Sequence, residues 1–209
     1  MDFTPLKYIY RPDGIPDANT LLLLHGTGGN EEDLIPLTSE YGDGFNILSV
    51  RGNVLEHGMP RFFRRLGMSI FDEEDLTFRT HELANFLIEV AKKEGFDSSK
   101  LIAYGYSNGA NIAGALLLLY PVFLKGAILL RPMKPFQVLP QISLKHQSYV
   151  FLSSGRTDGT VNIVHVKEFA EYLQEGGYTV ESYLVDAGHN LSKEDIALSV
   201  AWYTQHFTE

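Results

Sequence analysis

A serine stands between two glycines in Gly105-Tyr106-Ser107-Asn108-Gly109. The apolar run Leu101-Ile102-Ala103-Tyr104 precedes it, and good helix formers follow from Ala110 to Tyr120 until Pro121 stops them. Together they predict a strand, a sharp turn and a helix, the setting in which G-x-S-x-G presents a nucleophile. At such a turn the serine backbone is strained and its Oγ projects over the sheet edge. The flanking glycines lack Cβ, so strand and helix can approach closely. The helix N-terminus behind the serine offers free N–H groups and a positive dipole end to a developing oxyanion. A plain glycine-rich turn would also satisfy three set positions, so the meaning of this stretch depends on partners elsewhere.

A serine hydroxyl is a weak nucleophile until a base takes its proton. Among seven histidines, His189 stands apart, because Asp186-Ala187-Gly188-His189-Asn190 lies between the last apolar strand pattern and the last helical one. A loop there hangs over the carboxyl edge of a parallel sheet, the side on which the serine turn also lies. His81, His165 and His206 fall on solvated faces of predicted helices, His146 in a polar loop, and His25 reads as structural. His57 is the alternative base. The base needs an orienting carboxylate. Asp158, in Gly155-Arg156-Thr157-Asp158-Gly159, follows a strand of its own, although the same residues also read as an ordinary Asp-Gly turn. Asp186 is the rival acid, but it reads as the end of the strand that leads to His189. In His25-Gly26-Thr27-Gly28-Gly29, after an early strand, glycines let the chain bend until the Thr27 and Asn108 N–H groups converge on one oxyanion. A phosphate-binding loop fits this stretch less well, since position 31 is glutamate rather than glycine and no G-K-[ST] follows.

The elements that must hold these groups alternate. Strands are predicted at Leu6–Tyr10 (an edge), Thr20–Leu24, Phe45–Val50, Leu101–Tyr104, Gly126–Leu130, Tyr149–Ser153 and Tyr178–Val185. Helices are predicted from the acidic start Glu31-Glu32-Asp33, over Asp75–Glu94 with the stripe Leu83, Phe86, Leu87 and Val90, after Ser107, over Val164–Glu175 and over Lys193–Phe207. This alternation implies an α/β fold, a mostly parallel sheet with helices on both faces, in one domain over residues 1–209. Arg51–Phe71 shows no period and reads as a long loop, with Phe62 and Phe63 as candidate apolar contacts for a substrate. The span Arg131–Ser148 is too short for a helical cap, so an open, shallow site is expected.

The chain has 209 residues with 26 acidic and 17 basic side chains, a net charge of −9, which argues against nucleic acid or an anionic membrane as the main partner. It has no cysteine, hence no disulfide and no thiolate metal site, in keeping with a reducing compartment. His81-Glu82 lacks the second histidine of a helical zinc motif, so no metal is expected. The N-terminus has neither the basic region nor the apolar core of a signal peptide, and the longest apolar run, Ile112–Tyr120, is too short to span a bilayer. A soluble, cytoplasmic protein without membrane insertion is expected.

With these residues in view, the chain resembles the small bacterial carboxylesterases of the phospholipase/carboxylesterase group of α/β hydrolases, near the acyl-protein thioesterases and the quinone-stress hydrolases. The resemblance runs through His25-Gly26-Thr27-Gly28-Gly29, Ser49-Val50-Arg51-Gly52, Gly105-Tyr106-Ser107-Asn108-Gly109, Arg131-Pro132-Met133 and Gly188-His189. It implies that Ser107, Asp158 and His189 are a catalytic triad in the chain order of that fold, and that Thr27 and Asn108 form the oxyanion hole. Met133 becomes a further candidate substrate contact. The chain departs from many relatives, which carry a proline soon after the acid, at Val161-Asn162. The resemblance implies hydrolysis of a small-molecule ester without a cofactor, and often a homodimer, and with no cap over the site it points to short acyl or aryl esters. Acyl thioesterase or lysophospholipase activity needs the same groups, and a catalytically silent binding protein could retain the same scaffold.

Overall fold

The computed structural model describes residues 3–67, 69–144 and 146–208. In chain order the elements are β1 (Tyr8–Arg11), β2 (Asn19–Leu24), β3 (Phe45–Val50), β4 (Val54–Glu56), β5 (Met59–Arg61), β6 (Arg65–Gly67), β7 (Ile70–Phe71), α1 (Glu73–Glu94), β8 (Leu101–Tyr106), α2 (Asn108–Leu119), β9 (Gly126–Leu130), β10 (Tyr149–Gly155), α3 (Ile163–Glu175), β11 (Thr179–Val185) and α4 (Lys193–Phe207). A seven-stranded sheet runs in the order β1-β3-β2-β8-β9-β10-β11. All neighbours in it are parallel except β1, which pairs antiparallel with β3 at one edge.

Strand β2 shows how the apolar runs build this sheet. Leu22 and Leu24 enter one core with α1, α2 and α3, while Leu21 and Leu23 enter another with α4 and the 3₁₀ turn Ile35–Tyr41. Successive side chains of a strand point to opposite faces, so a strand covered on both sides is apolar throughout. Helix α1 begins where Asp72 accepts the Asp75 N–H and three acids fill its first turn, and it ends at Gly95, with φ 81°. This is the expected α/β-hydrolase architecture. The span from Arg131 to Ser148 carries neither helix nor strand among its described residues. No helix among the described residues is long and apolar enough to cross a membrane.

Two expected segments take a different form. The acidic start at Glu31 leads to no α-helix, only to the 3₁₀ turn Ile35–Tyr41. Pro36 removes a donor there, and the Thr38 and Ser39 hydroxyls bind the carbonyls of Ile35 and Pro36 three residues back. Arg51–Phe71 is not one long loop but holds two antiparallel hairpins, β4–β5 and β6–β7. The first turns at His57-Gly58, both with positive φ (52° and 81°), as a tight two-residue hairpin loop requires.

Candidate active site

Ser107 is the single residue between β8 and α2, with φ 51° and ψ −111°, a strained conformation for a residue with a Cβ. The close packing needs the flanking glycines. A Cβ on Gly105 would press on the backbone of Gly109 and Ala110, and one on Gly109 would collide with the carbonyl of Leu24. The Ser107 N–H donates to the Leu130 carbonyl at 2.8 Å, which ties the turn to the end of the neighbouring strand β9.

From this turn a continuous chain of hydrogen bonds leads into the protein. Ser107 Oγ lies 2.9 Å from His189 Nε2, and His189 Nδ1 lies 2.8 Å from Asp158 Oδ2. The His189 side chain is 29% exposed and that of Asp158 0% exposed, so the chain runs from solvent inward. Asp158 Oδ1 is occupied by the N–H groups of Thr160 (2.8 Å) and Val161 (3.2 Å), leaving Oδ2 to accept from the imidazole. With Nδ1–H committed to the carboxylate, the Nε2 lone pair faces the serine.

The structure brings these three residues together and leaves their rivals apart. Asp186 is 82% exposed and pairs with Arg156 at 2.6 Å. His57 is exposed at the β4–β5 turn, and His146 and His165 are exposed as well. His81 and His206 are not the solvated residues expected. His81 Nδ1 lies 2.7 Å from the Tyr120 hydroxyl, and His206 pairs with Glu181 at 2.9 Å while stacking on Tyr149.

The glycine-rich loop after β2 faces the serine turn across the sheet edge. Thr27 Oγ1 accepts from Arg61 Nη1 at 2.8 Å, and Asn108 Oδ1 accepts from the Phe62 N–H at 2.7 Å. Both side chains are thus turned to the hairpin segment, and among the described residues neither the Thr27 nor the Asn108 backbone N–H has a partner. The Gly28 N–H donates to the Pro60 carbonyl at 2.9 Å, a second tie between loop and hairpin. Buried His25 braces the loop from below, with Nδ1 2.6 Å from the Gly26 carbonyl and Nε2 accepting the Gly52 N–H at 3.0 Å. Burial pushes the His25 imidazole below its usual pKa, against the raising effect of the Gly26 carbonyl. Burial acts to raise the neighbouring Glu31 carboxyl, but Lys7, its own N–H and Arg51 together hold it at about 2.

The expected contacts Phe62 and Phe63 are corrected by their burial, at 2% and 0% exposure. The Phe62 ring packs on His25 (4.8 Å between centroids) and the Phe63 ring on Phe71 (5.0 Å), so both fill the core beneath the site rather than wall it. What Phe62 contributes is its backbone N–H. Met133 is half-buried and lines a cleft of about 120 Å³ with Ile70, Phe71, Phe136 and Asn162, its own N–H held by Asn111 Oδ1 at 2.7 Å. Arg61, Tyr106 and Arg131 were assigned no role from the sequence. Each acts on a backbone or hydroxyl group distant in the chain, which no spacing pattern signals.

This sheet order and this carboxyl-edge site define an α/β hydrolase. Residues 9–199 match the Phospholipase/Carboxylesterase family, and the chain belongs to it. It is 43% identical to MhqD of Bacillus subtilis (strain 168), named as a hydrolase, over 96% of this chain and 98% of that one. Among solved structures it is similar to the Bacillus cereus carboxylesterase (44% identity, TM-score 0.93, 97% of this chain and 95% of that one). It is also similar to YahD, solved with malic acid (30% identity, TM-score 0.90, 96% and 99%).

Proposed function

We propose that this hydrolase is a serine carboxylesterase that cleaves short acyl or aryl esters through an acyl-enzyme intermediate. The observation that carries this reading is the unbroken line Ser107 Oγ–His189 Nε2 at 2.9 Å and His189 Nδ1–Asp158 Oδ2 at 2.8 Å. In the first half-reaction, Ser107 Oγ attacks the acyl carbon as its proton passes to His189 Nε2. The carbonyl oxygen becomes an oxyanion that accepts from the Thr27 and Asn108 N–H groups. Asp158 keeps the imidazole oriented and stabilises the imidazolium. Collapse breaks the bond to the alcohol oxygen, which leaves with the proton from Nε2. In the second half, water gives a proton to Nε2 while its oxygen attacks the acyl carbon, and the carboxylic acid departs as Ser107 regains its proton. No cofactor takes part in these steps.

A short substrate suits the surroundings. The span after β9 carries neither helix nor strand among its described residues, which leaves the site open. Met59, 40% exposed above Gly28, and Met133 are the apolar groups at hand for an acyl or aryl moiety.

The test is labelling by a fluorophosphonate combined with a screen of esters of increasing acyl length and one matched thioester. Ser107 should carry the label, Ser107→Ala should lose activity by several orders of magnitude, roughly the cost of triad deletions, and turnover should fall with chain length. Wild-type turnover in Ser107→Ala would end this reading. A clear preference for the thioester would make the protein a thioesterase using the same groups.

A further inference from the structure

His189 reaches Ser107 only while its loop stays over the sheet edge, and that loop is held by its backbone. Three successive carbonyls each accept a hydrogen bond from a side chain of the sheet edge. Arg131 Nε donates to Gly188 O at 2.9 Å, the Tyr106 hydroxyl to His189 O at 3.2 Å, and Arg131 Nη2 to Asn190 O at 3.2 Å. The remaining donors of the guanidinium point the other way. Nη1 and Nη2 bind the two oxygens of Asp195 at 2.6 and 2.7 Å, and Nη1 also meets Ser153 Oγ at 2.9 Å. All five N–H bonds of Arg131 therefore have acceptors, and the side chain is 0% exposed.

The backbone at this corner carries the same connection further. Arg131 follows β9 directly with φ 57°, a left-handed conformation unusual for a residue with a Cβ. The preceding carbonyl, Leu130 O, accepts the Ser107 N–H, and the Arg131 N–H donates to Ser153 O at 2.8 Å on β10, the strand that leads to Asp158. The acid loop is stitched to the base loop as well. The Thr157 N–H donates to Ala187 O at 3.0 Å, and a Cβ on Gly155 would collide with the carbonyls of Ala187 and Gly188.

A purely structural ion pair would tie α4 to the sheet through Asp195 alone. Two of the five donors instead go to the carbonyls on either side of His189, where they add nothing to that tie. We propose that Arg131 is a positioning residue for His189: anchored by Asp195, it grips the Gly188 and Asn190 carbonyls and so keeps Nε2 on Ser107 Oγ. This rests on the reading of His189 as the base. A displacement of about 1 Å in a reacting group can cost on the order of a hundredfold in rate, so the grip has kinetic consequences.

The experiment uses Arg131→Lys, which keeps a cation opposite Asp195 but replaces a rigid five-donor fork with three donors on one nitrogen. Measured well below its unfolding temperature, kcat should fall roughly ten- to a hundredfold at an unchanged KM, with fluorophosphonate labelling of Ser107 slowed by the same factor. In a His189→Ala background the same change should cost nothing further. A merely structural role would lower the unfolding temperature and leave kcat of the folded enzyme alone. Wild-type kcat in Arg131→Lys, or an equal loss in the His189→Ala background, overturns the proposal. Should Arg131→Lys not fold, Tyr106→Phe removes the third bond and keeps the ring. A drop in kcat of about three- to tenfold at unchanged KM is then expected, the scale of one neutral hydrogen bond, and an unchanged kcat overturns the proposal. Full activity in Ser107→Ala and His189→Ala would defeat the esterase reading itself. Their inactivity beside a fully active Arg131→Lys would defeat only the positioning role.

Discussion

Asp158 and Asp186 offer His189 the same functional group from two adjacent loops, and packing separates them. The Asp158 carboxylate is buried with one oxygen held by two N–H groups and the other on the imidazole, whereas Asp186 is exposed and paired with Arg156. Asp158→Asn should keep the fold but favour the wrong imidazole tautomer, at a cost on the order of ten-thousandfold in kcat. Asp186→Asn removes one exposed ion pair and should change kcat by no more than about threefold. Steady-state kinetics of both variants decide between them, and the reverse ranking would mean that the acid is Asp186. The buried groups beside the glycine-rich loop respond to pH instead of substrate. Burial keeps His25 neutral below its usual pKa of 6.5, so in acid the unfolded chain takes up a proton that the folded one refuses. The contribution of His25 to stability is therefore full above pH 6.5 and falls as the pH drops below it. Glu31, held at about 2 against a usual 4.5, adds a second loss as the pH falls from 4.5 toward 2. Urea midpoints should decline in these two windows, and His25→Asn should flatten the upper one.

At the level of elements, the serine turn works because α2 lies directly on β2 and β8. Gly109 is the point of closest approach, where the Leu24 carbonyl occupies the space a Cβ would need. Gly109→Ala should push α2 off the sheet, costing about 1–3 kcal/mol or more as overpacking does, and should carry Ser107 away from His189. A urea titration and a rate measurement on the same sample test this, and a variant with native stability and rate would show that the helix can shift without consequence. The hairpins β4–β5 and β6–β7 have the opposite standing. The β4–β5 hairpin packs over the glycine-rich loop through Arg61 and Pro60, yet the strands of both hairpins are three or two residues long, too short for any alternation to show in the sequence.

Across the whole molecule, the loops carrying Ser107, Asp158 and His189 all leave the carboxyl edge of one sheet and are bonded to one another through Leu130, Arg131, Thr157 and Ala187. The site should therefore come apart with the fold. The single tryptophan, Trp202, is buried in the core between α4 and the sheet. Urea unfolding followed by its fluorescence should coincide with the loss of esterase activity, as expected of one cooperative unit. Activity lost well before fluorescence would show that the site loops open on their own.

The amino-acid sequence determined what depends on neighbours in the chain. The apolar runs of β2, β8 and β9, the stripe of α1, the glycines around Ser107 and the placing of Asp158 and His189 after separate strands are local or periodic features, and the α/β architecture follows from their alternation. Tertiary structure alone decided which groups meet across long separations in the chain. Phe62 and Phe63 read as possible surface contacts because a phenylalanine in an aperiodic stretch carries no sign of its face, and only the folding of the hairpins onto His25 and Phe71 placed them in the core. Arg131 looked like one residue of a short motif. Its five acceptors come from Ser153, Gly188, Asn190 and Asp195, which converge because parallel strands β9, β10 and β11 end side by side, a contact that no pattern along the chain records.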